Sequence, residues 1–318
     1  MLAPVPYFGG KRSVATEVWE RFGDVDQYIE PFCGSAAILL AAPSPASLEV
    51  IGDMNGFIAN FWRSVRYQPA SVAEWADYPV SHIDLGARHT WLMEQRERLA
   101  MELHDCDWPG DPKAAGWWLW GQCAWIGSGW CEWDKPTSEV PSVTDAGQGI
   151  QAIGKIPHVI DTGRGIQAIG QIPHVTGAGQ RIQRENRTAW VWIHKLAQRL
   201  DRVRAIHGNW TRCLNHHYGK DKTAIFFDPP YKSFESLYGV SQPIAGDVEA
   251  WAREHPSLHI ALCGHIGDYD LPGWDIFKWS RSAATYGSIK TKTEECIWFS
   301  PGCLPAKQMG LFNFGDAQ

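Results

Sequence analysis

Residues 224–231 read AIFFDPPY, and they predict both the fold class and the place of its site. The first four residues form an apolar run, which is typical of a strand buried on both faces of a parallel sheet. The polar tetrapeptide at 228–231 then lies at the carboxyl end of that strand, where α/β sheets bind their ligands. The alternative is a rigid turn that ends a strand and carries a purely structural tyrosine.

The tetrapeptide combines one carboxylate, two prolines and one aromatic ring. Pro229 and Pro230 stiffen the turn and have no N–H group, which leaves backbone carbonyl oxygens free as acceptors. Asp228 and the carbonyl oxygen of Pro229 can therefore each accept one hydrogen of an amino group. Tyr231 offers a ring on which a flat substrate can stack. These residues predict chemistry on an amino group attached to a planar ring.

The sequence on either side of this stretch alternates between strand and helix patterns. Residues 1–65 read as loop, helix, strand, helix, strand and helix, which is the βαβ pattern of a nucleotide-binding sheet. The predicted strands are Gln27–Glu30, Leu48–Gly52, Ala224–Phe227, His259–Cys263, Asp275–Trp279 and Cys296–Phe299. Helices are predicted at Ser35–Ala42 and Thr188–Val203. The last two strands are expected to form a hairpin, and residues 304–318 a loose tail.

Three further motifs precede the tetrapeptide: YFGGK at 7–11, EPFCGS at 30–35 and GDMN at 52–55. Gly34 follows the first predicted strand, where a glycine lets the backbone approach a ligand closely. Asp53 ends the second predicted strand, where an acid typically accepts hydrogen bonds from ribose hydroxyls. The alternative for Asp53 is an N-cap, and the alternative for residues 7–11 is an ordinary β-turn with exposed basic side chains.

In this order, the four motifs resemble those of the Dam-like adenine-N6 DNA methyltransferases of phages and bacteria. The resemblance covers residues 1–64 and 189–303. It implies S-adenosylmethionine as the methyl donor, double-stranded DNA as the partner, and a Rossmann-like sheet with helices on both faces and a terminal antiparallel hairpin. The family usually has glycine where this chain has Ala36, which implies a slightly wider turn at the cofactor.

The resemblance also implies roles for individual residues. The catalytic residues are Asp228, Pro229, Pro230 and Tyr231. The implied contacts of S-adenosylmethionine are Tyr7, Lys11, Glu30, Phe32, Gly34, Asp53, Asn55 and Asp228. Lys11 is expected near the methionine carboxylate of the cofactor. The reaction is expected to be a direct in-line transfer to a base flipped out of the duplex, and to need no metal.

Residues 66–187 are predicted to form a target-recognition insertion within a discontinuous catalytic domain made of residues 1–65 and 188–303. Within the insertion, residues 145–183 contain a sixteen-residue repeat whose first two copies begin DAGQGIQAIG and DTGRGIQAIG. Glycine and proline recur at fixed offsets, which predicts a turn-rich ladder of extended segments.

The insertion is also rich in tryptophan, with seven of the chain's eighteen between Trp108 and Trp133. Asp111 followed by Pro112 predicts the start of a helix that runs on through Trp125. Its residues Trp117, Trp120 and Trp125 share a face and are expected to form the core of a small subdomain. Stacking of these rings on DNA bases is the alternative.

The net charge is −6, but basic residues are concentrated in one part of the chain. Residues 155–222 contain twelve Lys or Arg and four Asp or Glu, so this stretch is +8 and the remainder −14. A local positive patch suits contact with phosphates, although a solvated helix face is the alternative. The predicted DNA-contacting residues are Arg164, Arg181, Arg184 and Arg187, with Lys290 and Lys292 in a second loop at 282–293.

Several classes of protein are disfavoured by the sequence. Eight scattered cysteines without a C-x-x-C pair argue against a disulfide framework and a zinc ribbon. His158 and His174 occupy equal repeat positions but lack the spacing of zinc ligands. No apolar run is long enough to span a membrane, and a cytoplasmic monomer without an obligate protein partner is expected.

The predicted function is therefore methylation of adenine N6 in DNA, and two alternatives stay open. Relatives that act on cytosine N4 more often begin the tetrapeptide with serine, and those that act on glutamine in proteins begin it with asparagine. Asp228 favours adenine without excluding cytosine. A DNA-binding relative that has lost turnover, such as a repressor, is the other alternative.

Overall fold

The structure is a computed structural model that describes residues 11–79, 81–125, 130–131, 133, 188–214, 222–231, 244–279 and 295–306. The helices are α1 (Ala15–Phe22), α2 (Ala37–Leu40), α3 (Gly56–Tyr67), α4 (Pro69–Ala76), α5 (His82–Glu94), α6 (Arg96–Glu102), α7 (Pro112–Ala124), α8 (Thr188–Arg199), α9 (Thr211–Leu214) and α10 (Ile244–Glu254). The strands are β1 (Gln27–Glu30), β2 (Leu48–Asp53), β3 (Val203–His207), β4 (Thr223–Phe227), β5 (His259–His265), β6 (Asp275–Trp279) and β7 (Glu295–Phe299). No described helix combines the length and the apolar composition that crossing a membrane requires.

The strands form a seven-stranded mixed sheet in the order β3-β2-β1-β4-β5-β7-β6. β2 is parallel to β3, with Glu49 opposite Val203, and β4 is parallel to β5, with Ala224 opposite His259. β7 runs antiparallel to β5 and to β6. The predicted α/β class is confirmed, and the last two strands pair antiparallel as predicted.

The chain divides into two compact units, which are called here the first unit and the second unit. The first unit comprises residues 1–12, 29–41 and 47–217, and the second comprises residues 13–28, 42–46 and 218–318. Large side chains are fully buried in each of them. Trp62 and Trp118 are examples in the first unit, and Phe22 and Phe226 are examples in the second.

In the first unit, a buried ion pair between Arg199 and Glu49 joins α8 to β2. The Arg199 guanidinium donates to both carboxylate oxygens of Glu49, with Nη2 2.6 Å from Oε1, and Nη2 also donates to the carbonyl oxygen of Leu39. Glu49 is fully buried. A bidentate, charge-assisted pair of this kind fixes geometry as well as position. The chain therefore returns to the sheet at a defined place after residue 187.

Helix α7 begins where the sequence predicts it. Asp111 is its N-cap and accepts a hydrogen bond from the Ala114 N–H at 2.9 Å, and Pro112 is its first residue. The helix ends at Ala124, one residue earlier than predicted, because Trp125 has an extended backbone. Gly116 permits close packing of α7 on α4, since a Cβ atom there would lie 2.4 Å from the Trp75 Cβ.

Two predicted helices differ from the structure in their boundaries, each for its own reason. The predicted helix at 188–203 ends at Arg199, and Val203 begins strand β3, which the sequence did not indicate. Leu200 and Val203 are both buried and fit helical spacing, so the pattern extended the helix too far. The predicted helix at 35–42 is reduced to Ala37–Leu40, because Ala36 before it has left-handed backbone angles.

In the second unit, α1 is held by a buried arginine and by the chain after β7. The Arg21 guanidinium donates to Asp275 Oδ2 at 2.6 Å and to the carbonyl oxygen of Leu304, and it lies 4.5 Å from the centre of the Phe299 ring. The Leu304 N–H donates in turn to the Arg21 carbonyl at 2.7 Å. The prediction of a loose tail was therefore wrong for Leu304, while residues 307–318 lie outside the described residues.

Candidate active site

The turn after β1 is shaped by left-handed backbone and by a buried carboxylate. Gly34 has φ 45° and Ala36 has φ 50°. Alanine pays about 1–2 kcal/mol for this conformation, whereas glycine does not, so the turn is maintained at a cost at Ala36. Glu30, which is 2% exposed, accepts the Leu39 N–H at 3.2 Å. Its carboxylate thus fastens the turn to α2.

Asp53 at the end of β2 joins this turn to the next one. Its Oδ2 accepts the Gly34 N–H at 3.0 Å, and its Oδ1 accepts the Asn55 N–H at 2.9 Å. The Gly34 carbonyl oxygen accepts from Trp62 Nε1 at 3.0 Å, so both peptide groups that flank the Gly34 Cα are held by side chains. Asn55 caps α3 by accepting the Phe57 N–H at 2.9 Å. The structure therefore brings together Gly34, Asp53 and Asn55 of the predicted cofactor set.

For the remaining predicted cofactor contacts of the first unit, the structure gives burial only or no description. Lys11 is buried, with 5% of its surface exposed, and Phe32 is half-buried in the turn after β1. Tyr7 lies outside the described residues. The sequence therefore identified the residues of this turn, but their hydrogen-bond partners depend on the fold.

Two thiols near Asp53 are unreactive at neutral pH. Burial raises the pKa of Cys33 well above its usual value, and the carboxylates of Asp53 and Glu30 raise it further. Burial together with the charge of Asp53 raises the pKa of Cys213 to about 12. Both side chains therefore stay protonated at neutral pH, and neither is a nucleophile. The acidic side chains give this region a negative potential that suits a cationic ligand group.

The tetrapeptide predicted to be catalytic follows β4 in the second unit. All five residues of β4 are buried, Pro229 is buried, and Asp228, Pro230 and Tyr231 are half-buried. The carboxylate of Asp228 is one of the charges that raise the pKa of Tyr269, after burial and Asp268. The Tyr269 hydroxyl donates to the Cys263 carbonyl at 3.2 Å, so it stays a protonated donor beside the turn.

Tyr231 has two neighbours that sequence reasoning missed. Its ring meets the His265 ring edge to face, with 4.6 Å between centroids and 78° between planes. Its hydroxyl lies 3.5 Å from Glu295 Oε2, a long and weak hydrogen bond. The prediction ended β5 at Cys263, two residues before His265. The sequence carried no local signal for this contact, which depends on the parallel pairing of β4 with β5 that sets the carboxyl ends of both strands at one edge.

The predicted nucleic-acid contacts all lie outside the described residues. They are Arg164, Arg181, Arg184, Arg187, Lys290 and Lys292. The repeat at 145–183, with His158 and His174, lies outside them as well.

The tryptophans of α7 pack against cations of the first unit. The Arg88 guanidinium lies 4.1 Å from the Trp120 ring centre and 5.1 Å from that of Trp117. The Lys113 ammonium lies 4.4 Å from the Trp117 ring centre. Trp120 is buried and Trp117 is half-buried, whereas Trp125 follows the helix and is half-buried. Cation–π contacts thus engage Trp117 and Trp120 within the fold.

Comparison with known proteins gives one family match. Residues 7–78 match the model of the D12 class N6 adenine-specific DNA methyltransferases. The matched segment contains β1, β2 and the turns that hold Gly34 and Asp53. No curated protein matches the chain. The match supports the adenine-N6 methyltransferase family that the motifs predict, and it covers three of the four motifs, those at 7–11, 30–35 and 52–55.

Proposed function

We propose that this enzyme transfers a methyl group from S-adenosylmethionine to N6 of adenine in double-stranded DNA. The observation that carries the proposal is the position of Asp228, directly after the fully buried strand β4, in a chain whose residues 7–78 match an adenine-N6 family. Methyltransferases of this kind generally use S-adenosylmethionine. The family implies DNA as the substrate.

The turns of the first unit suit a cofactor with ribose hydroxyls and a charged amino-acid part. The Asp53 carboxylate is fixed at the end of β2 by the Gly34 and Asn55 N–H groups, and it is half-buried at the place where an acid typically accepts ribose hydroxyls. We assign contacts with the cofactor to Tyr7, Lys11, Glu30, Phe32, Gly34, Asp53, Asn55 and Asp228. When bound, S-adenosylmethionine supplies a methyl group on a positively charged sulfur.

The tetrapeptide is proposed to prepare the target amine for attack. The lone pair of the adenine amino nitrogen is delocalised into the ring and must be localised before the nitrogen can react. Asp228 and the carbonyl oxygen of Pro229 accept the two amino hydrogens and draw the lone pair out of conjugation. Pro230 keeps this turn rigid, so the acceptors need little reorganisation in the transition state.

Tyr231 is proposed to stack on the extruded base. A base inside a duplex is inaccessible, so the enzyme must flip it out and compensate for the lost stacking. The edge contact with His265 fixes the orientation of the tyrosine ring, while partial exposure leaves ring surface available for the base. His265 and Glu295 are thus positioning residues for Tyr231.

These roles suggest which parts of the chain carry catalysis and which carry target recognition. We propose that residues 1–65 and 188–303 form the catalytic domain and that residues 66–187 recognise the target sequence. Arg164, Arg181, Arg184 and Arg187, with Lys290 and Lys292, are proposed to contact DNA phosphates or base edges. The reaction as proposed needs no metal.

Methyl transfer with labelled S-adenosylmethionine tests this function. The protein is incubated with duplex DNA, the DNA is digested to nucleosides, and the labelled nucleoside is identified. We expect N6-methyladenosine in its deoxy form, and we expect Asp228→Ala to abolish it while DNA binding survives. Asp247→Ala is the matched control, because Asp247 is an exposed carboxylate in α10 of the same unit.

Three other results would contradict the proposal. Label on N4 of cytosine would make the enzyme a cytosine methyltransferase. Label on protein alone would move the acceptor out of DNA. Binding of DNA and of S-adenosylmethionine without transfer would identify a catalytically silent relative.

A further inference from the structure

The first unit contains a cavity of about 530 Å³ whose walls are rich in arginine. It is lined from α3, from the turn after α6, from β3 and from α9, and its cationic residues are Arg63, Arg66, Arg202, Arg204 and Arg212. No aspartate or glutamate is among the lining residues that the structure describes. All of these residues lie outside the two turns discussed above. The cavity is called here the arginine pocket.

Three arginines of the pocket are oriented by backbone carbonyls. Arg63 donates to the Asp105 carbonyl at 2.9 Å, and Arg66 donates to the Val203 carbonyl at 2.6 Å. Arg212 donates to the His207 carbonyl at 2.7 Å. Carbonyl acceptors hold a guanidinium in place but carry no net charge, so the positive charge is fixed and not neutralised.

The other two arginines stand at the exposed part of the pocket. Arg204 lies in β3, an end strand of the sheet, and Arg202 lies in the turn directly before it. Both are exposed, and neither forms an ion pair or a side-chain hydrogen bond with the residues that the structure describes. They therefore offer guanidinium groups to an external anion.

The electrostatics of the pocket indicate a surplus of positive charge. Burial is the main cause that lowers the pKa of Arg63, while Tyr67, Asp105 and Cys106 raise it. The positive charge of the neighbouring Arg212 is the smallest cause, and it lowers the pKa. An anion in the pocket would relieve repulsion among the arginines.

We propose that the arginine pocket binds backbone phosphates of DNA. Guanidinium groups match phosphate oxygens with two parallel hydrogen bonds, which explains arginine in preference to lysine at this surface. Exposure of Arg202 and Arg204 favours a polyanion that crosses an open surface over a small ion enclosed by protein. Such contacts position a duplex and do not read its sequence. The inference rests on the proposed function in that DNA is taken as the substrate.

The salt dependence of DNA binding tests this proposal. Fluorescence anisotropy of a labelled duplex is measured between 50 and 200 mM salt for the intact protein and for Arg202→Gln/Arg204→Gln. Each phosphate contact contributes about 0.9 to the slope of log K against log salt concentration, so loss of two contacts reduces the slope by about 1.8. Lys195→Gln is the control, because Lys195 is an exposed cation of α8 outside the pocket.

A second arm separates DNA from a free phosphate compound. Calorimetry measures binding of inorganic phosphate and of adenosine monophosphate to both proteins. A reduced slope in the double variant alone supports the proposal. An unchanged slope overturns it, and an unchanged slope with lost binding of adenosine monophosphate reassigns the pocket to a free nucleotide. Methyl transfer is assayed in parallel, so a reduced slope in a protein without transfer would contradict the proposed function and leave the pocket intact.

Discussion

The turn that joins Gly34 to Asp53 and the turn that contains Asp228 are held in place by different means. In the first unit, both carboxylate oxygens of Asp53 accept backbone N–H groups, and the Gly34 carbonyl accepts an indole N–H. In the second unit, two prolines and the contact of Tyr231 with His265 restrict the turn. The first turn is rigid because of hydrogen bonds, and the second because of covalent geometry and ring packing.

This difference teaches which substitutions affect stability and which affect turnover alone. A side chain that satisfies backbone donors is part of the fold, so its removal leaves unpaired polar groups. A side chain on a turn that proline already restricts can change without loss of structure. The following predictions compare the two turns, in order of decreasing effect.

The largest difference is expected between the two aspartates. Asp228→Asn replaces the charged acceptor of an amino hydrogen by a weaker, neutral amide oxygen, and we expect kcat to fall about 10²–10⁴-fold, the usual range for groups that assist proton movement. The free energy of unfolding should change by no more than about 0.5 kcal/mol. Asp53→Asn places an amide donor against a backbone donor, and the free energy of unfolding should fall by about 1–3 kcal/mol.

Urea denaturation and initial rates at saturating DNA check this pair of variants. In Asp53→Asn, the KM for S-adenosylmethionine should rise more than kcat falls. If Asp228→Asn lost stability as Asp53→Asn does, the two turns would not differ in the way described.

An intermediate effect is expected at Tyr231. Tyr231→Ala removes a stacking ring, which is worth about 1–3 kcal/mol per base, so affinity for DNA with an unpaired target base should fall roughly 5- to 150-fold. Tyr231→Phe keeps the ring and loses only the long contact with Glu295, so it should bind within about threefold of the original protein. Anisotropy titrations with matched duplexes measure both values. Equal losses in the two variants would assign the role to the hydroxyl.

The smallest expected effect is the pH dependence of the stability that His207 contributes. His207 donates to the Met54 carbonyl at 3.1 Å, and burial lowers its pKa. Below the ordinary histidine pKa of about 6.5, the unfolded chain binds a proton that the folded chain resists. His207 therefore contributes less stability as the pH falls below that value. The stability difference between the intact protein and His207→Gln should narrow from pH 7.5 to pH 5.5 in urea denaturation. A constant or wider difference would refute this assignment.

Much of the fold could be predicted from the sequence where burial is uniform. Strand β4 is an unbroken apolar run, and the prolines after it mark the turn, so both could be predicted from the sequence. The start of helix α7 could also be predicted, because Asp111 and Pro112 are local helix-start signals that need no tertiary contact.

The rest depends on contacts between distant parts of the chain. Strand β3 reads VRAIH, which has neither an apolar run nor strict alternation, because it is an end strand with exposed Arg204. The arginine pocket combines residues of α3 and β3 whose proximity no local pattern encodes. The same holds for the candidate site: Asp53 was predicted from its place after a strand, but its backbone partners and the contact of His265 with Tyr231 are products of folding.

The pairing of Arg21 with Leu304 has a consequence for how the protein is made. Their contact joins residues 283 positions apart in the chain. A ribosome that adds about 5–20 residues per second needs roughly 14–57 s to synthesise that interval. Helix α1 therefore leaves the ribosome long before Asp275, Phe299 and Leu304 are synthesised. Until then Arg21 lacks these three partners. Helix α1 therefore completes its packing only after residue 304 has been translated.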